Sequence, residues 1–156
     1  MRFEENYIRK VDPNYLKSNE ANTTFTDGYP FLTTNIGTLE FLNKNLEEGG
    51  NQKIGMERFR PNIVVSGLEP FEEFNLEYIT YINNTYRFRL YKPCQRSIST
   101  TVDQQTGIIQ EKTESLKTLL NLNSLNDKHG AFFGQNSILV KMVEDEIEIG
   151  DILKKE

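Results

Sequence analysis

Residues 76–94 read LEYITYINNTYRFRLYKPC, and the reading of this stretch sets the fold class. Residues 76–82 are rich in β-branched and aromatic side chains, and Asn83-Asn84 supplies a polar turn. From there Tyr86, Phe88 and Leu90 alternate with Arg87, Arg89 and Tyr91. A period of two sends successive side chains to opposite faces, so this second strand carries one apolar face and one basic, aromatic face. The hairpin runs directly into Pro93-Cys94.

Working outward, residues 62–66 (Asn-Ile-Val-Val-Ser) form another short β-branched strand. Before it, Phe31-Leu32-Thr33-Thr34 leads into Ile36, Leu39, Phe41, Leu42 and Leu46, whose spacing predicts a helix capped by Thr34 or Asn35 and stopped by Glu47-Glu48-Gly49-Gly50. After a turn over residues 103–107, Leu116, Leu119 and Leu120 predict a second short helix over residues 114–122. Residues 137–143 and 147–153 read as two strands joined by the acidic turn Glu144-Asp145-Glu146. Residues 1–26 mix charges, asparagines and isolated aromatics around an Asp12-Pro13-Asn14 turn, an arm or an edge strand. Many short strands with two helices predict a mainly β fold, a small barrel or sandwich, since a doubly wound sheet needs a helix between successive strands.

A chain of 156 residues is one domain with a real core, here residues 27–156 behind the arm of residues 1–26. Hydrophobic residues at 37% and charged ones at 26% exclude wholesale disorder. A net charge of -5 excludes a nucleic-acid surface spread over the whole molecule. Cys94 is the single cysteine, so neither a disulfide nor a cysteine-based zinc cluster forms within one chain. No apolar run reaches the roughly 18 residues of a membrane span, and the opening MRFEENYIRK lacks a secretory stretch. The expectation is a soluble, intracellular protein.

The chemistry concentrates in residues 78–102, which contain no carboxylate but do contain Arg87, Arg89, Lys92 and Arg96. Cations flanking Cys94 favour its thiolate, the nucleophilic and metal-binding form, although a lone cysteine also serves as a buried small hydrophobe. The following Gln95, Arg96, Ser97, Ser99, Thr100 and Thr101 resemble a loop that holds an oxyanion, or alternatively a run of strand-forming hydroxyl residues. A second cluster, Arg58-Phe59-Arg60-Pro61-Asn62, offers two arginines that reach one side of an extended segment, and an amide that can read a ring edge. Ion pairing of those arginines with Glu57 or Glu69 is the alternative. Phe133-Gly134-Gln135-Asn136 adds close backbone approach and two amides. His129, the sole histidine, sits in a polar loop and carries no assigned role.

These blocks occur in the order of a known family. The chain resembles the MOSC family, of the amidoxime-reducing type, through residues 27–32 (DGYPFL), 56–67 (MERFRPNIVVSG), 92–96 (KPCQR), 100–103 (TTVD), 133–136 (FGQN) and 149–151 (IGD). The resemblance implies a β-barrel-like domain that binds a pyranopterin molybdenum cofactor and reduces N-hydroxylated compounds, a small-molecule substrate class, with electrons from a partner redox protein. It makes Asp27 an entry-loop contact, Arg60 and Asn62 contacts to phosphate and pterin, Gln95 and Arg96 neighbours of the metal, and Asn136 the far wall. The family loop reads Cys, any residue, Arg, Cys, with the second cysteine on molybdenum. Here Cys94 holds the first position and Ser97 the second. Cys94 replaces the ligand after a loop shift, Ser97 ligates as a harder donor, or the chain is a cofactor-binding or sulfur-carrying module, even a degenerate relative, without turnover. A mutated or engineered residue at position 97 is a fourth possibility. The domain that precedes this one in larger reductases, or the desulfurase domain in sulfurases, is not expected before Asp27, so the pocket is more open, is completed by a partner chain, or is vestigial, and no pyridoxal phosphate site is expected.

Overall fold

The computed structural model describes residues 7–11, 16, 21–23, 26, 28–109, 114–122, 124–127, 130–143 and 146–156. Its strands and helices are β1 (Arg9–Lys10), β2 (Asn22–Thr23), β3 (Phe31–Asn35), α1 (Ile36–Glu48), β4 (Ile63–Val65), β5 (Tyr78–Tyr81), β6 (Tyr86–Gln95), α2 (Glu114–Leu122), β7 (Phe132–Met142) and β8 (Leu153–Lys155). Single 3-10 turns lie at Met56–Phe59, Glu72–Asn75 and Ile98–Thr101. β1 and β2 pair antiparallel, and the other six strands form a sheet in the order β4-β3-β7-β6-β5-β8. β4 is parallel to β3, while β5 is antiparallel to both β6 and β8. The mainly β class with two helices therefore holds.

By internal contacts the chain divides into two compact units. The first comprises Met1–Phe31, Leu76–Tyr91 and Asn136–Glu156, and the second Leu32–Asn75 and Lys92–Gln135. In the first, the alternation along β6 works as read: Tyr86, Phe88 and Leu90 are buried while Arg87 and Arg89 reach the surface. Phe31 meets Phe88 edge-on at 5.3 Å, and a further cluster joins Val11, Leu16, Ala21, Tyr29 and Ile138. The buried Tyr86 hydroxyl donates to Asp151 at 2.7 Å. Burial, aided by that bond, pushes the phenol up, and the Glu148 N–H ahead of the Tyr86 hydroxyl holds the Asp151 carboxyl below its ordinary range.

The second unit is organised by Asn35, the last residue of β3. Its Oδ1 accepts from Gly37 N at 2.9 Å, the capping bond that an asparagine side chain supplies to an exposed helix start. Gly37 is required by contact: a Cβ there would lie 2.5 Å from the Leu68 carbonyl oxygen. Thr38, Leu42 and Leu46, one turn apart, form the buried stripe of α1. They face a core of Ile54, Phe59, Leu119, Ala131 and Phe133. Phe59 and Phe133 are fully buried, their rings stacked at 3.6 Å and 12°. Ile36 and Phe41, expected on the core face, are partly exposed, with Phe41 edge-on to Phe71 at 6.0 Å. Beneath the cap, Glu73 has no solvent exposure. Its carboxyl accepts from Thr38 Oγ1 at 2.9 Å and Asn35 Nδ2 at 3.0 Å, while its carbonyl accepts from Gln135 Nε2 at 3.1 Å. Burial pushes this carboxyl up, against the downward pull of the Asn35 and Thr38 bonds.

Three sequence expectations change. The final strand pair reduces to β7, which starts early at Phe132, and the three-residue β8. Residues 147–152 are not a strand, because Gly150 takes φ 103° and Asp151 closes a turn by accepting from Glu148 N at 2.9 Å. The hydroxyl run after Gln95 is a 3-10 turn, not a strand or an open loop. The Asp12-Pro13-Asn14 turn and two residues of the acidic turn, Glu144 and Asp145, lie outside the described residues.

Phe133→Ala removes one ring of a fully buried stack and is expected to cost about 3–5 kcal/mol in denaturant unfolding. Glu73 makes a pH-dependent contribution of defined sign. A carboxyl raised on folding contributes stability that is complete below the ordinary glutamate pKa and is lost as the pH rises through the raised value. The parent-minus-Glu73→Gln stability difference should therefore decline with rising pH across that interval, and a flat difference would remove the effect.

Candidate functional site

Two clusters read from the sequence, 56–62 and 92–103, lie within the second unit, and one residue joins them. Arg96 donates through Nη1 to the Cys94 sulfur at 3.1 Å and through Nη2 to the Phe59 carbonyl at 2.8 Å. Its guanidinium carbon lies 5.6 Å from the centre of the Phe59 ring. The third nitrogen, Nε, is buried and has no hydrogen-bond partner among the described residues. Phe59 is pinned by its stack on Phe133, so the core fixes the carbonyl that fixes the guanidinium, which in turn meets the half-buried thiol. Sequence reasoning missed Phe59 as a positioning group, because a phenylalanine carbonyl leaves no trace in composition.

The paired-arginine expectation is corrected. Met56–Phe59 is a 3-10 turn rather than an extended segment, so Arg58 and Arg60 do not share a side. Arg58 is buried, donating to the Thr101 carbonyl at 2.9 Å and to Asp103 at 3.2 Å. Asp103 is itself organised by its turn. The Thr106 N–H and hydroxyl, then Gln105 N and the Arg58 charge, hold its carboxyl below the ordinary range. Arg60 takes a left-handed backbone at φ 53° and is exposed, without a side-chain partner among the described residues. Such a backbone is uncommon outside glycine and asparagine.

Asn62 forms a reciprocal clamp with Leu32: its N–H donates to the Leu32 carbonyl at 3.0 Å and its Oδ1 accepts from Leu32 N at 2.9 Å. The side-chain nitrogen is the group it can still offer. Gln95 ends β6 and is exposed. The Ser97 hydroxyl is exposed and bonded to the Ser99 hydroxyl at 2.9 Å. Thr100 and Thr101 turn back on the carbonyls of Ser97 and Ile98, at 3.0 and 2.7 Å, so their hydroxyls shape the turn instead of facing a ligand. Asn136 is half-buried on β7, in the first unit. Asp27 and His129 lie outside the described residues.

The electropositive face expected beside Cys94 is also altered. Arg87 pairs with Glu156 at 2.6 Å and Arg89 with Glu77 at 3.1 Å, carboxylates brought in from elsewhere in the chain. The cation that meets the thiol is Arg96. Chemically, the second unit thus offers one soft sulfur donor, one guanidinium with an unspent N–H, one exposed guanidinium and one outward amide. That set suits an anionic, ring-bearing ligand.

The family model described as the MOSC domain matches residues 20–154. Human "Mitochondrial amidoxime reducing component 2" is 33% identical over 121 residues, 76% of this chain and 34% of that protein. Human "Mitochondrial amidoxime-reducing component 1" is 30% identical over 114 residues, 73% and 32% of the two chains. "Molybdenum cofactor sulfurase" of Arabidopsis thaliana is 26% identical over 126 residues, 77% and 15%. The matched stretch is thus about a third of the length of the amidoxime-reducing relatives. No helix among the described residues is long and apolar enough to cross a membrane.

The two neighbouring arginines should separate cleanly on mutation. Arg58→Met leaves the buried Thr101 carbonyl without its Arg58 donor and takes the guanidinium charge from Asp103, and is expected to cost about 3 kcal/mol. Arg60→Met, at an exposed position, should stay within about 0.5 kcal/mol. Denaturant midpoints of the two variants check this, and equal costs would contradict the assignment of Arg58 as a buried tether.

Proposed function

The chain belongs to the MOSC domain family, and from that membership we propose that it binds a pyranopterin molybdenum cofactor through its second unit. The observation that carries this reading is the Arg96 arrangement, a guanidinium held between a thiol and a core carbonyl with its Nε donor still unsatisfied. An orphaned buried donor calls for an acceptor, and phosphate or pterin oxygens are acceptors. Arg60 and Asn62 are the proposed contacts to phosphate and pterin, with Gln95 and Arg96 beside the metal. Asp27 and Asn136 are carried only by the family motif.

For the metal, the donor set favours Cys94 over Ser97. Sulfur is the softer donor and is already next to a cation, whereas the Ser97 hydroxyl is committed to Ser99. When bound, the cofactor supplies redox chemistry at its metal, and the finer proposal is reduction of N-hydroxylated small molecules with electrons from a partner redox protein. This chain's residues bind and orient, and a partner domain is the proposed means of completing the enclosure. No nucleic acid, membrane span or pyridoxal phosphate enters this reading.

A second reading is favoured by Ser97 standing where the family loop has its ligand cysteine. In it the chain is a cofactor-binding or sulfur-carrying module, with Cys94 bearing a persulfide and no turnover of its own.

Molybdenum and pterin content of protein purified from a cofactor-producing host separates the two. Near-stoichiometric metal in the parent and its loss in Cys94→Ala is the expected result. An empty parent that Ser97→Cys fills would sink the enzyme reading and leave the module.

A further inference from the structure

Away from Cys94, the first unit carries an unusual row of donors. Thr80 on β5 is the register partner of Arg87 on β6 and of Lys154 on β8. Residues directly opposite in neighbouring strands share a face, with Cβ atoms about 4.5–5.5 Å apart. Arg87, Thr80 and Lys154 therefore form one row across three strands. Thr80 is only 3% exposed, and its hydroxyl has no hydrogen-bond partner among the described residues. Arg87 Nε is also buried and unpartnered. Thr85, in the bend just before β6, contributes a third such atom. Half of the six orphaned buried side-chain atoms among the described residues thus gather around Arg87. Buried polar atoms are nearly always paired, so a local concentration of exceptions points to a missing partner.

The chemistry of that partner follows from the donors. Arg87 lies over Tyr78, its guanidinium carbon 3.7 Å from the ring centre, and Glu156 accepts from its Nη2. The neighbouring Nε–H is left pointing along the other half of the same edge. A guanidinium and an ammonium can only donate, and an oxyanion lying along the Nε side would accept from Arg87, from the Thr80 hydroxyl and from Lys154. Charge agrees: Glu156 balances Arg87 and Glu77 balances Arg89, whereas Lys154 is exposed with no partner among the described residues. The Arg87 side chain is itself 35% exposed, so the row borders solvent.

We propose that Arg87, Thr80 and Lys154 form a binding site for a small oxyanion, a carboxylate or phosphate group, independent of the Cys94 site. The test uses the full chain, titrated calorimetrically with inorganic phosphate and with acetate, against sodium chloride at matched ionic strength, with thermal midpoints recorded in parallel. Phosphate or acetate should raise the midpoint above the chloride reference, and whichever does so assigns the oxyanion. Thr80→Val, which keeps shape and removes the hydroxyl, and Lys154→Met should each weaken binding by about tenfold or more. Lys155→Met, the partner of Ile79 in the register and so on the opposite face, should leave it unchanged. No response to either anion overturns the site, as does an equal response in the parent and in Lys154→Met, a surface change that holds the proposal testable if Thr80→Val does not fold.

Discussion

Phe59 is where the core of the second unit becomes its chemistry. The ring has no solvent exposure and stacks on Phe133, so the residue cannot shift without opening the cluster that includes Leu42, Leu46 and Leu119. Its carbonyl accepts from Arg96, and Arg96 donates to the Cys94 sulfur. Close packing transmits position because interiors have few voids to absorb a displacement. The thiol's setting is therefore determined by hydrophobic contacts with which it shares no atom.

The second unit spends much of its polar chemistry on holding itself together. Glu73, Asn35, Thr38 and Gln135 form a buried network that joins the end of β3, the first turn of α1 and the start of β7. Gly134 beside it takes φ 75°, where a Cβ would lie 2.8 Å from the Thr33 carbonyl, so the two strands can approach only with glycine there. Arg58 serves the same purpose at the other loop, tying the 3-10 turn at Met56–Phe59 to Thr101 and Asp103. Three arginines of one unit thus have three fates: Arg58 is a buried tether, Arg96 bridges core and thiol, and Arg60 stands exposed. Only environment separates them, since a guanidinium is equally suited to all three.

Membership of the MOSC family and the residues that meet around Arg96 bear on different matters. The family match covers residues 20–154, and it fixes kinship and expected fold. Function rests on the site, because one fold hosts many chemistries. Ser97 is where that distinction matters most: a hydroxyl engaged with Ser99 stands at the position that the family loop gives to a ligand cysteine, and the sulfur of this chain lies three residues earlier.

Local pattern was enough to determine much of this protein. The alternation over β6, the β-branched run of β4, a helix cap at Thr34 or Asn35, a helix stop within residues 47–50 and the α2 span were all legible, because each depends on neighbours within a few residues. The motif order likewise carried the family. The partners of the arginines were not legible: Arg58 finds Asp103 at 45 positions' distance, Arg87 finds Glu156 at 69, and Arg96 finds the Phe59 carbonyl at 37. Nor was the loss of a strand at residues 147–152, where Tyr86, 65 positions before Asp151, supports a turn. Sequence patterns report the preferences of single elements, whereas ion pairs and buried donors are allotted by which distant segments the fold brings into contact. Only the tertiary structure decided which cation met the thiol.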